Sequence, residues 1–157
     1  MATILLTGAS RGIGAATRTA LETRGAHVIG QATRAGGDDR NILAADFLDP
    51  GAPQHLWEQA LERSGGTIDV LVNNAGLFAA NPLDRSDIEW LDGWEDTLRI
   101  NLTAAAQLSR FAVQHWQQRA LPTLPPRSRI SPPWPCKWWS NSARIVRCPP
   151  CLPRALR

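Results

Sequence analysis

Eight residues near the N-terminus, Thr7-Gly8-Ala9-Ser10-Arg11-Gly12-Ile13-Gly14, have the make-up of a turn that holds an anion. Glycines let bare backbone approach a ligand closely, and the amides at the start of a following helix are free donors aimed at it. The chemistry this supports is binding of a pyrophosphate-bearing nucleotide. It is not a P-loop, because no Gly-Lys-Ser/Thr follows. The bland alternative for a glycine cluster is a plain tight turn. The flanks favour the first reading: an apolar run, Ile4-Leu5-Leu6, precedes it, and the helix-forming residues 15–22 follow. Strand, turn and helix therefore come in the order the mechanism requires.

Further elements must place that turn. Gly25 is a natural stop for the first helix, residues 26–30 read as a second buried strand, and residues 31–40 as a polar, glycine-containing loop. A third short strand spans 41–46 and ends at an acid, Asp46. Pro50 and Pro53 open a helix that runs through Trp57 and Leu61 to Gly65-Gly66, and residues 68–73 form the fourth strand. Continuously apolar strands alternating with helices predict an α/β fold, a parallel sheet covered on both faces. Right-handed crossovers then bring the loops after the strands to one edge, where such folds bind ligands. A long helix is expected over 87–118, opened by the capping box Ser86/Glu89. Its stripe of Leu98, Leu102, Ala105, Ala106, Ala112 and Trp116 is read as core packing, and Gly93 and Ile100-Asn101 as places for a break.

Composition divides the chain near residue 120. Residues 1–120 hold ten arginines against fourteen acids, a net charge of −4; residues 121–157 hold seven Lys/Arg and no acid, a net charge of +7. Nine of the twelve prolines and all three cysteines also fall after residue 120. Prolines at 122, 125, 126, 132, 133 and 135 predict a largely irregular tail, with residues 143–146 the one strand candidate. No apolar run reaches the length of a membrane span and the first strand begins by residue 3 or 4, so no membrane association and no signal peptide are expected. A cysteine-free first 120 residues suits a cytoplasmic protein.

Two more stretches sharpen the reading of the glycine turn. Asn73-Asn74-Ala75-Gly76 follows the fourth strand, and Asn101-Leu102 lies within the long helix. With Thr7-Gly8-x-x-x-Gly12-x-Gly14, in order and spacing, they make residues 1–119 resemble the short-chain dehydrogenase/reductase family. Thr33, Arg34 and Asp46 resemble its 3-oxoacyl-acyl carrier protein reductase-like members. The resemblance implies a Rossmann-type, doubly wound parallel sheet and hydride transfer between a nicotinamide dinucleotide and a small carbonyl or alcohol substrate. By position it implies that Gly8, Ser10, Arg11, Gly12, Ile13 and Gly14 form the pyrophosphate turn. Asp46 would then meet the adenine amino group, and Asn74, Ala75 and Gly76 would line the nucleotide. Asn101 matches the family's catalytic asparagine, which organises a water in a proton relay; a helix-kink residue bonding nearby backbone is the alternative. Self-association through residues 87–118 is a further implication.

NADP(H) is favoured over NAD(H). Sites for NAD place a carboxylate about 20 residues beyond the glycine turn to accept from the ribose 2′-hydroxyl. Here that region reads Gln31-Ala32-Thr33-Arg34, and Arg11 and Arg34 suit the charge of a 2′-phosphate. A solvated loop cation is the plain reading of Arg34.

The family's proton chemistry also needs a tyrosine, a lysine four residues later and a serine. The chain contains no tyrosine, and its sole lysine, Lys137, has Pro133 four residues before it. Ser128, Ser131, Ser140 and Ser142 lie among prolines. The expectation is an incomplete dinucleotide-binding domain over 1–120, catalytically inactive and truncated. Its tail, 121–157, is expected to be disordered and to read as the product of a lost frame in a GC-rich gene. The fourth strand would then be an uncovered apolar edge. A non-catalytic nucleotide-binding module is the alternative. Binding of nucleic acid by the basic, Trp134/Trp138/Trp139-containing tail is a weaker one, and Cys136, Cys148 and Cys151 make a poor metal cage, so no metal is expected.

Overall fold

The computed structural model describes residues 1–34 and 39–120, and the expectations for residues 121–157 lie outside them. The first strand, β1 (Thr3–Leu6), is followed by α1 (Gly12–Thr23), β2 (His27–Ala32), β3 (Ile42–Ala44), α2 (Ala52–Arg63) and β4 (Val70–Val72). Then come α3 (Asp87–Leu98), a π-helical turn (Arg99–Thr103) and α4 (Ala104–Ala120). The four strands form one parallel sheet in the order β3-β2-β1-β4, with Ile4 opposite both Val28 and Val70.

Pleating sends alternate residues to opposite faces and so builds two apolar layers. Leu5, Ile29 and Leu43 pack with Leu56, Trp57 and Ala60 of α2 and with Ala104, Leu108 and Ala112 of α4. Leu6, Ala9 and Val28 pack on the other face, against Leu21 of α1. Helices on both faces make the fold doubly wound, as its sequence pattern predicts. Each fully buried Leu or Ile contributes roughly 2 kcal/mol relative to an exposed one.

Glycines end both of the first helices by the same device. Beyond α1, Gly25 (φ +81°) donates to the Glu22 carbonyl and Ala26 to that of Leu21; beyond α2, Gly65 (φ +67°) donates to Glu62 and Gly66 to Leu61. These paired bonds satisfy helix-end carbonyls in a backbone conformation that favours glycine. At the start of α3 the Ser86/Glu89 capping box forms in full.

Several expected boundaries move. Gln31 and Ala32 belong to β2, not to a loop, and both are buried, because the Gln31 carboxamide finds partners just beyond the ends of both neighbouring strands. β3 ends at Ala44, since Asp46 turns the chain by accepting from the Leu48 amide. β4 is shorter than 68–73. The Ile68 amide and carbonyl are bound instead by His115 and Trp116 of α4, and Asp69 accepts from the Thr3 amide and from Arg119. The long helix is unbroken at Gly93, where the missing side chain leaves room for Asn81, and changes its winding only at Arg99–Thr103 before continuing to Ala120.

That π turn corrects the expected core stripe as well. Leu98 and Leu102 are 46% and 61% exposed, and Ala106 is exposed too, while Ala104, Leu108 and Ala112 are buried. An extra residue in the turn rotates everything after it about the helix axis, so a stripe that is continuous on a straight helix is split. α3 buries no residue, and Ile88, Leu91 and Trp94 are exposed on it. β4 lies at the sheet edge among the described residues, with Val70 38% exposed.

Candidate functional site

Strand order reverses between β1 and β4: the chain moves outward from β1 to β2 and β3, then returns to the other side of β1. Connections leave such a point in opposite directions and open a crevice beyond the carboxyl ends of the strands. The segments after β1 and β4, residues 7–14 and 73–76, meet there.

They meet through Thr7. Its side chain is 1% exposed, and its Oγ1 accepts from the amides of both Asn74 and Ala75 at 2.9 Å. In the other direction Asn74 Nδ2 donates to the carbonyls of Thr7 (3.0 Å) and Gly8 (3.2 Å). The carboxamide of Asn74 thus closes the glycine turn against β4.

The three glycines do different work. Gly8 has φ +67°, and a Cβ there would lie 2.8 Å from Ala75 Cα. A Cβ on Gly14 would sit 1.9 Å from the Gly8 carbonyl oxygen, so the start of α1 rests directly on the turn. Gly12 (φ +55°) differs: a Cβ there would meet nothing within 4 Å. Neither packing against the protein nor close contact calls for glycine there; open space and a left-handed backbone do.

Space at Gly12 adjoins free donors. Arg11, extended at the head of α1, makes no side-chain capping bond, and the first turn carries no acid. The amides of the first helical turn lack partners within the helix, and their partial positive charge faces the crevice. Ser10, Arg11 and Ile13 are all exposed around this point, Ile13 at 79%. This donor set, with room for close approach at Gly12, fits a pyrophosphate.

Because the sheet is parallel, the other predicted residues share its edge. Thr33 and Arg34 follow β2 and are exposed. The acid described next along the chain, Asp39, is held by Arg18 through contacts of 2.5 and 3.3 Å, and Arg18 also binds Glu22 at 2.8 Å. The hydrogen bond from Arg18 lowers the Asp39 pKa, and the same bond raises that of Arg18. Asp46 lies exposed after β3 with one carboxylate oxygen on the Leu48 amide.

Asn101 lies in the π turn and is exposed. Its Oδ1 accepts from the Leu77 amide at 2.7 Å and its Nδ2 donates to the Leu77 carbonyl at 2.8 Å. Gly76 fits against it, a Cβ there falling 3.4 Å from Asn101 Oδ1. Asn101 therefore joins the loop after β4 to the long helix.

Three further residues, two of them within the sequence motifs but without an individual task predicted for them, take part. Thr7 is the hub just described. Asn73 Nδ2 donates to Ser109 Oγ (3.1 Å) and lies 3.4 Å from the Ala105 carbonyl, tying the same loop to α4. Gln31 Oε1 accepts from the Gly8 amide and its Nε2 donates to the Ala45 carbonyl. The one available signal for Gln31 is a large polar residue continuing an apolar strand.

Groups with shifted pKa values among the described residues are Arg18, Asp39, Asp69, Glu89 and His115. His115 bonds Ile68, ahead of β4 and so at the opposite end of the sheet. No cluster among the described residues could hold a metal, and no helix among them is long and apolar enough to cross a membrane.

A family model described as short chain dehydrogenase matches residues 2–121. The 3-oxoacyl-[acyl-carrier-protein] reductase FabG of Vibrio cholerae is 37% identical over 119 residues, which are 70% of this chain and 47% of that protein. Among solved structures, a 4-hydroxyisoleucine dehydrogenase complexed with NADH aligns with TM-score 0.63 and 26% identity, over 76% of this chain and 51% of its own. A blue fluorescent protein from a metagenomic library, in complex with NADPH, aligns with TM-score 0.59 and 31% identity, over 74% of this chain and 50% of its own. The chain spans about half the length of the curated relatives it matches.

Proposed function

The chain belongs to the short-chain dehydrogenase family, and from that membership we propose that its glycine turn binds a nicotinamide dinucleotide, NADP(H) in preference to NAD(H). The single observation that carries the binding reading is Gly12. Its left-handed backbone and unfilled surroundings lie beside the uncapped amides of α1, and a pyrophosphate uses both. The relatives' complexes with NADH and with NADPH support the same class of ligand.

Each site residue then has a physical task. The first-turn amides of α1 bind the pyrophosphate, with Ser10 and Arg11 at its edge. Thr7 and Asn74 keep the turn rigid, so that no ordering cost falls on binding. Ile13 offers apolar surface to the dinucleotide, and Ala75 and Gly76 line its path. Asp46 accepts from the adenine amino group with the carboxylate oxygen that Leu48 does not use. The preference for NADP(H) rests on Arg34 beyond β2 and on Arg11, cations where a 2′-phosphate would lie, with the hydroxyl of Thr33 beside Arg34 as a further donor. It rests also on Asp39, whose carboxylate is already paired with Arg18.

When bound, the cofactor supplies or accepts a hydride against a small carbonyl or alcohol, the reaction class of the family. We propose that the 157-residue polypeptide binds without turning over. It has no tyrosine to pass a proton to the substrate oxygen, and Lys137 is its one lysine. Asn101, whose carboxamide is engaged by Leu77, is proposed to hold the loop after β4 in place and has no proton donor to serve.

Fluorescence titration of the purified chain with NADPH and NADH, followed by a carbonyl-reduction assay, tests both parts. Saturable binding at one site, at least about tenfold tighter for NADPH (~1.4 kcal/mol), with no turnover is the expected outcome. Equal affinities would remove the cofactor preference, no binding would remove the site, and turnover would remove the claim of inactivity.

A further inference from the structure

Among the described residues, Thr7 and Gln31 are the buried polar side chains, 1% and 3% exposed. Thr7 has its place in the clamp on β4. Gln31 lies on the other flank of the turn, and its bonds reach two neighbouring segments at once. Its Oε1 accepts from the Gly8 amide at 2.8 Å, and its backbone carbonyl accepts from the Ala9 amide at 2.8 Å. Two successive amides of the glycine turn thus end on one residue. On the far side, Gln31 Nε2 donates to the Ala45 carbonyl at 2.6 Å, in the peptide that leads into Asp46.

The chemistry of a carboxamide is needed here, not its bulk alone. Gly8 presents an N–H and Ala45 presents a C=O, so the side chain must offer an acceptor at one end and a donor at the other. Turned over, the amide would set N–H against N–H and oxygen against oxygen. A methionine would fill the space and leave the part-buried Gly8 amide and the Ala45 carbonyl unpaired. A glutamate would face the Ala45 oxygen with a second oxygen.

We propose that Gln31 is a positioning residue for the adenosine half of the dinucleotide site, fixing the spacing between the pyrophosphate turn at Gly8 and the adenine-side acid at Asp46. The inference rests on the reading of the crevice as a dinucleotide site. Gln31 acts through backbone on both sides and does not touch the ligand. β2 is the strand between β1 and β3, so a side chain at its carboxyl end reaches both loops. Changing it alters affinity for any ligand that spans them.

The test compares the unmutated chain with Gln31→Met and Gln31→Glu, using NADPH and 2′,5′-ADP as probes, at a temperature where circular dichroism shows each protein folded. Gln31→Met is expected to weaken both probes at least about tenfold, by similar factors and with one site retained, because both backbone partners are left unpaired. Gln31→Glu is expected to bind more weakly than Gln31→Met. Affinities within about twofold of the unmutated chain in the folded Met variant would overturn the proposal, since a space-filling residue tolerates that exchange. Loss of both probes by the unmutated chain would instead overturn the dinucleotide reading and this inference with it.

Amide exchange in the unmutated chain gives a readout that survives failure of a variant to fold. One Gln31 Nε2 proton and the Gly8 amide should exchange at least about tenfold more slowly than solvent-exposed amides. Unprotected exchange at both would overturn the proposal.

Discussion

Thr7 and Asn74 hold each other from both directions: the Asn74 amide donates to Thr7 Oγ1 at 2.9 Å, and Asn74 Nδ2 donates back to the Thr7 carbonyl at 3.0 Å. Sixty-seven positions separate them in the chain. Two loops, each of which would wander alone, become one surface at the strand ends.

Replacing Thr7 by Val keeps the shape and removes the acceptor, leaving the amides of Asn74 and Ala75 without their partner. The expected loss is about 2–3 kcal/mol in urea denaturation, the cost of stranding part-buried donors. Thr7→Ser, which keeps the oxygen, should recover most of it. A Thr7→Val variant within about 0.5 kcal/mol of the original, half the net value of one such bond, would show that water replaces the hydroxyl.

Glycines 12 and 14 should separate stability from binding. Gly14→Ala drives a methyl to 1.9 Å from the Gly8 oxygen and should cost more than about 3 kcal/mol, the upper range for overpacking against backbone that cannot give way. Gly12→Ala meets open space and should cost only about 1–2 kcal/mol, for the left-handed backbone alone. Its NADPH affinity should nevertheless fall sharply, since the methyl occupies the approach to the amides. The two variants having equal thermal stability would contradict this division.

Asn101→Ala should free the loop rather than unfold the protein. Leu77 loses a bond at both its amide and its carbonyl, but the site is exposed, so a stability change of no more than about 1 kcal/mol is expected. Hydrogen exchange at the Leu77 amide should accelerate while that of Leu108 in the core does not. Equal acceleration at both positions would point to global destabilisation instead.

His115 should make stability rise with pH near neutrality. Burial, helped by Arg119 and opposed by Asp69, holds its pKa below the ordinary value of 6.5. Its Nε2 accepts from the Ile68 amide and must be neutral to do so. Below about pH 6.5 the unfolded chain binds a proton that the folded chain resists, so stability falls as pH drops through that value toward the lowered one. Asp39 and Asp69, both lowered chiefly by hydrogen bonds, from Arg18 and from the Thr3 amide respectively, act further down, their contribution fading as pH falls through about 4. Urea midpoints from pH 5 to 8 should therefore climb in the original chain and climb less in His115→Gln; parallel profiles would assign the slope elsewhere.

Local physics made much of this fold legible. Gly25 and Gly65-Gly66 end helices because carbonyls there need a left-handed residue, and Ser86/Glu89 start one because helix amides need acceptors. Both are contacts within a few residues. The same holds for the glycine turn, whose place between an apolar strand and a helix follows from its neighbours. Gln31 reads as the start of a loop because polarity normally ends a buried strand. Its partners, 23 and 14 residues away, are what make it part of β2. The stripe through Leu98 and Leu102 reads as core on a straight helix, and the π turn at Arg99–Thr103 rotates the buried positions that follow, Ala104, Leu108 and Ala112, away from that face.

The order of residues by itself thus determined that this chain builds a parallel α/β sheet with a glycine turn after its first strand. It also determined the charge division near residue 120 and the lack of a tyrosine. Tertiary structure alone decided which groups hold that turn: Thr7, Asn74 and Gln31 act on backbone brought beside them by strand pairing. A hydrogen bond forms only where donor and acceptor stand about 3 Å apart. When the partner is far along the chain, that distance is set by the whole sheet and not by any stretch of sequence.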